Sequence, residues 1–262
     1  MTYALRVFFV GGLTSYRALF GWLSPSILLT TLFATPIFQI LLFAYIGRTA
    51  KLENDEFYVI GNAIQYVSIP CVFGMVQMIS GERYAQTLAF VLVTPAGRLP
   101  LFLGRAFPVV LNGAAVAVVS FGVAALLLDV GVRPSSLPSL LAVAVLASFS
   151  CTGFGLVLAG IGLRVRETSV MNNIVFGLLL IFTGSNVRLD RLPDWMQAIG
   201  GSMPLTHAIT AGREVADGAS LADVTGLLAW EAALGAVYML AGYAFLIFME
   251  TQSRRRATLE IS

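Results

Sequence analysis

The 262-residue sequence predicts an all-α membrane protein with six transmembrane helices. Three observations lead there. Hydrophobic residues make up 58% of the chain and charged residues 11%, well under the roughly 25% charge that a soluble domain carries. The mean hydropathy is +0.85. Six stretches carry no charge at all, at 18–47, 57–81, 106–128, 134–163, 168–187 and 232–249. Each is near or above the ~20 residues that cross ~30 Å of hydrocarbon. An unpaired backbone is costly in lipid, so these runs are expected as helices, and the alternating pattern of an outer-membrane barrel is absent.

Residues 2–20 come first. Arg6 and Arg17 interrupt what would be the apolar core of a signal peptide, and no small-residue cleavage site follows. Eleven residues separate the two arginines. That is close to three helical turns, so both lie on one face of a helix. The pattern suits a helix lying along the membrane surface, with Tyr16, Phe20 and Trp22 at headgroup level. The alternative is a leading extension of the first span. The spans themselves are expected at 24–46, 58–80, 106–128, 139–163, 169–187 and 225–249. Cys71 and Cys151 both fall within apolar runs and read as buried packing residues, with no disulfide framework. Gly153, Gly155, Gly160 and Gly162 suit close helix packing.

Six spans return both termini to one side. That side collects ten arginines, including Arg254, Arg255 and Arg256, against six basic residues on the other. The excess of basic residues predicts that both termini are cytoplasmic, in a bacterial inner (plasma) membrane, with the terminal arginines touching anionic lipid.

Two connections stand out. Between the second and third spans, 82–93 holds few helix breakers before Pro95, Gly97 and Pro100. A short helix followed by a turn is expected, with Glu82 complementing the dipole at its start. Leu88, Phe90, Val91 and Leu92 are apolar in a segment that should meet water. Such a cluster fits a protein contact, and a helix resting on the membrane fits equally well. Between the fifth and sixth spans, residues 188–223 are too polar to cross, yet Trp195, Met196, Ile199, Met203, Leu205 and Ile209 form an apolar patch broken by Gly and Pro. Broken backbone at membrane depth is tolerated where protein or a wet cavity covers it.

The run SGERYAQTLAFVLVTPAGRLPLFLGR resembles the cytoplasmic coupling helix of type-two ABC exporter permeases. Gly81, Glu82, Arg83, Thr87, Leu88, Thr94 and Pro95 match that pattern, and Ala85, Gln86 and Ala89 depart from it. The run LDRLPDWMQAIGGSMPLTHAITAGRE resembles the outer segment of the same family through Leu192, Pro193, Trp195, Pro204, Leu205 and Thr206. His207 stands where Tyr or Phe is usual.

The resemblance implies a non-catalytic permease subunit that pairs with a second permease, either itself or a relative, above two ABC ATPase subunits. It assigns ATPase coupling to Glu82, Arg83, Thr87, Leu88, Thr94 and Pro95. It also implies a re-entrant pair at about 191–200 and 204–214 with an outer gate at Trp195, Met203, Pro204 and Leu205. ATP and Mg would be bound by the partner ATPase, because a P-loop needs a lysine after its glycine-rich turn and the only lysine is Lys51. No cofactor, metal or nucleic acid is expected on this chain.

Polar residues inside spans are candidates for function. Gln39, Asn62, Gln65, Asn172 and Asn173 are the pathway candidates, joined by Gln77, Asn112 and Glu231. Asn172 and Asn173 also suit capping of the fifth span, and Glu231 suits snorkelling or pairing with Arg213 near the outer interface. His207, the one histidine, is expected to be a hydrogen-bonded structural residue, since a metal site needs several ligands. An intramembrane protease would need a Ser–His pair within the membrane or a His-Glu-x-x-His zinc site, which one histidine does not supply. A channel or passive scaffold would work without an ATPase. No aromatic ladder marks a sugar chain, so a drug-like, antibiotic or lipidic amphiphile is the expected cargo. Lipid-linked polysaccharide or cell-wall polymer is the alternative.

Overall fold

The computed structural model describes residues 3–20, 30, 34–84, 98–131, 133–163, 165 and 167–256. They are nearly all helical, with no strand among them. This is the all-α membrane architecture that the composition demands. Four helices among the described residues are long and apolar enough to cross a membrane, at Asp55–Gly81, Pro100–Leu128, Pro134–Gly162 and Thr225–Phe248. Thr168–Phe182 is a shorter apolar helix.

Helix α1 covers residues 3–20, with a wider π turn at Val7–Gly11. It lies against the first turns of α5 (Arg98–Leu128). Gly12 backs directly onto the Gly104 backbone, and the Phe8 and Phe107 rings stand 5.9 Å apart. Helix α2 (Thr35–Ala50) ends at Lys51, whose φ of 53° breaks the helical run. Arg48 of α2 pairs with Asp55 at the start of α3 (Asp55–Gln65), and Asn54 caps α3 by accepting the Phe57 N–H at 3.1 Å. Asp55 and Glu56 then occupy the dipole-favoured first turn. Pro70 has no N–H to give the helical ladder, and the chain widens into a π turn at Ile69–Phe73 before α4 (Gly74–Tyr84).

Helix α6 (Leu137–Gly162) is the centre of the bundle. It packs closely along α10 (Thr225–Arg256) because glycines let the backbones approach. A Cβ added to Gly153 would sit 2.8 Å from the Gly235 carbonyl, and one on Gly242 would sit 2.8 Å from the Val157 nitrogen. On its other flank α6 meets the π turn, where Gly155 faces the Cys71 carbonyl. Cys71 and Cys151 are both free and buried. Helix α7 (Thr168–Phe182) packs through Phe176 on the segment between α3 and α4, its ring lying 5.8 Å from that of Tyr66, just past α3, and 6.2 Å from that of Phe73 in the π turn.

Several boundaries differ from the sequence expectation. Helix α7 stops at Phe182, five residues before 187, because the chain bends and Gly184 takes φ +78°. Helix α5 begins at Arg98 rather than 106, α2 continues past 46 to Ala50, and α10 passes 249 to reach Arg256. Charged or polar residues do not end a helix when its end lies beyond the hydrocarbon. Glu82 and Arg83, expected to open a separate helix, continue α4. The remainder of that expected helix, including Thr87, Leu88, Thr94 and Pro95, lies outside the described residues.

Candidate functional site

Two short helices close one end of the bundle. After α7 the chain bends, makes a tight turn at Leu189–Arg191, and forms α8 (Asp194–Ser202) and α9 (Thr206–Asp217). The turn between them is tied by three hydrogen bonds. Met203 N–H donates to Gly200 O at 3.0 Å, the Thr206 hydroxyl donates to Gly200 O at 2.7 Å, and the Tyr238 hydroxyl donates to Ser202 O at 2.6 Å. Pro204 and Leu205 are buried in this turn, and Leu205 takes φ +77°, which is unusual for a branched side chain. Trp195 is 62% exposed and sets its ring 6.2 Å from Phe182 at the end of α7.

Two charges, the buried Glu231 and the half-buried Arg213, hold this hairpin. Glu231 of α10 has no exposed surface. One carboxylate oxygen accepts the Leu205 N–H at 2.8 Å and the Ser150 hydroxyl, and the other accepts the Ala208 N–H at 3.3 Å. The carboxylate therefore caps the N-terminus of α9, where free N–H groups and the positive end of the helix dipole favour an anion. The expectation that Glu231 snorkels or pairs with Arg213 is corrected. The folding of α9 back onto α10 supplies it with backbone donors deep inside the bundle.

Arg213 instead clamps the other side. Its guanidinium donates to Gly184 O at 2.9 Å, Ser185 O at 2.9 Å and Phe57 O at 3.2 Å, and it lies 3.5 Å from the centre of the Phe57 ring. Burial lowers its pKa to about 9, partly opposed by the nearby Glu53, so it remains a cation at neutral pH. Three carbonyls and an aromatic face replace the missing water. Gly61 is required here, because any side chain would run into the guanidinium and the Ser185 carbonyl.

Beneath the clamp runs a set of amide ties. Gln39 of α2 donates to Asn62 Oδ1 of α3 at 3.1 Å, and the Tyr66 hydroxyl donates to Gln39 Oε1 at 2.9 Å. Asn62 Nδ2 donates to Tyr58 O at 3.0 Å and to Asn186 Oδ1, just past α7, at 2.8 Å. The Thr183 hydroxyl donates to Gln65 Oε1 at 2.8 Å. Of the polar candidates read from sequence, Gln39 and Asn62 are thus brought together, and Gln65 is tied separately to Thr183. Asn172 is buried, with no hydrogen-bond partner for its Oδ1, and Asn173 is exposed. Both lie more than a turn inside α7, whose N-cap is Glu167, so capping does not explain them. At the far end of α7 the Thr168 hydroxyl donates to Gln77 Oε1 of α4 at 3.1 Å.

The hairpin overhangs a cavity of about 910 Å³ lined by charged groups, among them Lys51, Glu56, Arg188, Glu214 and Asp217. His207 is also on its wall, with Nε2 3.1 Å from Gly201 O and its ring stacked 6.3 Å from that of Trp230. Among the described residues no three His, Cys, Asp or Glu side chains gather to hold a metal ion. The sequence offered no sign of the parts played by Ser150, Tyr66, Thr183, Asn186 and Arg213, since each depends on contacts between distant segments.

The sequence model of the family described as ABC-2 type transporter matches residues 13–216, well over half of the chain. No curated protein matches the chain.

Proposed function

The chain belongs to the ABC-2 type transporter family, and on that premise we propose that it is the permease subunit of an ATP-driven exporter. The family match is the observation that carries this reading, since it makes the chain the membrane component of a transporter. The excess of basic residues supports a cytoplasmic location for both termini and for Glu82 and Arg83, which puts the α8–α9 hairpin outside.

In this arrangement a separate ABC ATPase grips the segment following α4 and supplies ATP and Mg. Glu82 and Arg83 belong to α4 itself, so a push there passes into the second span without an intervening loop. The amide ties from Asn62 to Gln39 and Asn186 would carry that movement to the first span and to the end of the fifth. The hairpin containing Trp195, Met203, Pro204 and Leu205 would then serve as the outer gate above a pathway formed with a second permease subunit. An apolar, weakly polar set of spans suits a drug-like or lipidic amphiphile.

The test is reconstitution of the chain, with the ATPase recovered from its native membrane, into vesicles loaded with an amphiphilic dye. Dye movement that depends on ATP is expected. The proposal fails if no ATPase is recovered from native membranes, or if dye movement is the same without ATP.

A further inference from the structure

We propose that α9 is a strut pinned at two points, by Glu231 to the last span and by Arg213 to the second and fifth spans, and that these two side chains position the outer gate. The inference rests on the transporter reading for its consequence in transport, though not for the strut itself.

The two pins lie on one rigid element. From Leu205 to Arg213 is eight residues, or about 12 Å of helix at ~1.5 Å per residue. At one end every donor to Glu231 comes from α9 or from Ser150 on α6, so the carboxylate joins three elements at one point. At the other end Arg213 reaches Phe57 on α3 and the Gly184–Ser185 bend after α7. The same bend leads directly to Asn186, which is tied to Asn62. Helix α9 therefore bridges the α6–α10 pair and the α2–α3–α7 group. The gate turn at Met203–Leu205 sits at the pinned end of that bridge.

The chemistry of each pin is specific. A carboxylate accepts at both oxygens, as all three contacts here require. Glu231→Gln has nearly the same shape but directs an NH₂ at an N–H or hydroxyl donor, so one contact becomes repulsive. Arg213→Lys keeps the charge but not the planar fork, and an ammonium on a shorter reach cannot hold three carbonyls while covering the Phe57 ring.

The experiment is hydrogen exchange on the purified full chain in lipid nanodiscs, comparing wild type with E231Q and R213K. E231D, which keeps the charge on a shorter stem, is the second variant if E231Q does not fold. In E231Q the amides of Leu205 and Ala208 are expected to exchange at least tenfold faster. A strut also predicts faster exchange at residues 184–187, about 12 Å along the helix, and R213K should in turn loosen 205–208. A merely local cap would release only the amides it touches. Exchange in E231Q confined to 205–208, or unchanged there, overturns the proposal.

A second arm measures dye exported per ATP hydrolysed with the ATPase bound. A tenfold lower ratio in E231Q with ATPase binding intact supports gate positioning, and an unchanged ratio rejects it. If wild type itself shows no ATP-dependent export, the transporter reading fails, and the exchange arm still decides the strut.

Discussion

The carboxylate of Glu231 accepts the Leu205 N–H at 2.8 Å, so a residue of the last span caps a helix that begins at a leucine held at φ +77°. A left-handed leucine is disfavoured by roughly 1–2 kcal/mol. A carboxylate at a partly buried helix N-terminus returns up to about 2 kcal/mol. The two terms are similar in size, which explains why this turn persists without a glycine at Leu205. Leu205 and Ile209 are also fully buried, and their packing holds the helix against the bundle.

Removing the cap should therefore be costly. Glu231→Ala strands the N–H groups of Leu205 and Ala208 in an apolar interior and leaves the Ser150 hydroxyl only its 3.1 Å bond to Ala147 O. An unsatisfied buried polar group costs about 1–3 kcal/mol, so a total loss of roughly 2–5 kcal/mol is expected after partial relaxation. Thermal unfolding of the purified chain in detergent measures it, and a melting temperature equal to wild type would contradict the assignment. Ser150→Ala should cost less, because the hydroxyl also reaches Ala147 O at 3.1 Å and leaves both N–H contacts to Glu231 in place.

Asn62 and Asn186 should be energetically coupled. Their amides meet at 2.8 Å and join α3 to the residues after α7, one helical turn away from the Thr183 hydroxyl bond to Gln65 Oε1, also 2.8 Å. Polar contacts between helices in membranes average about 0.6 kcal/mol by double-mutant cycles, with a maximum near 1.7. A cycle of Asn62→Ala, Asn186→Ala and the double variant, read by unfolding in detergent, should give a coupling in that range. Additive losses would show that the contact carries no weight.

Much of the architecture was legible in the sequence, for a definite reason. Lipid penalises charge and unpaired backbone so heavily that 106–128 and most of 168–187 were bound to be helix. The helix ends were less legible, since hydropathy registers where hydrocarbon stops and not where hydrogen bonding stops. Arg98 and Arg105 thus belong to α5, and Gly184 ends α7 inside an uncharged run. The site was half visible. Gln39 and Asn62 stood out as polar groups in apolar runs, and they do meet. Glu231 stood out too, but its partners are backbone amides 26 and 23 residues away, and nothing in the pattern of side chains announces a backbone donor. Arg213 was hidden for the same reason, because its partners are carbonyls.

His207→Tyr should leave transport largely intact. His207 touches Gly201 O with one ring nitrogen and stacks on Trp230, itself 63% exposed. A tyrosine keeps an aromatic face for that stack and loses one hydrogen bond, worth about 0.5–1.5 kcal/mol. Dye export per ATP within about twofold of wild type is expected, which corresponds to ~0.4 kcal/mol. A loss of tenfold or more would give His207 a part in transport beyond structure.

A charge placed at Leu88 should separate the permease from its motor. Leu88 lies four residues past Tyr84, where the described part of α4 ends, within the run resembling a coupling helix. An apolar side chain in a segment expected from its sequence to meet water is best used against a partner. Burying an unpaired carboxylate in such a contact costs several kcal/mol, and each 1.4 kcal/mol is tenfold in affinity. Leu88→Asp should therefore lower ATPase recovery in pull-down by at least tenfold without lowering the melting temperature of the permease. Glu82→Ala, at the end of α4, should leave the ATPase bound more often than Leu88→Asp does but reduce export per ATP. Full ATPase recovery and normal export in both variants would place the docking surface elsewhere on the chain.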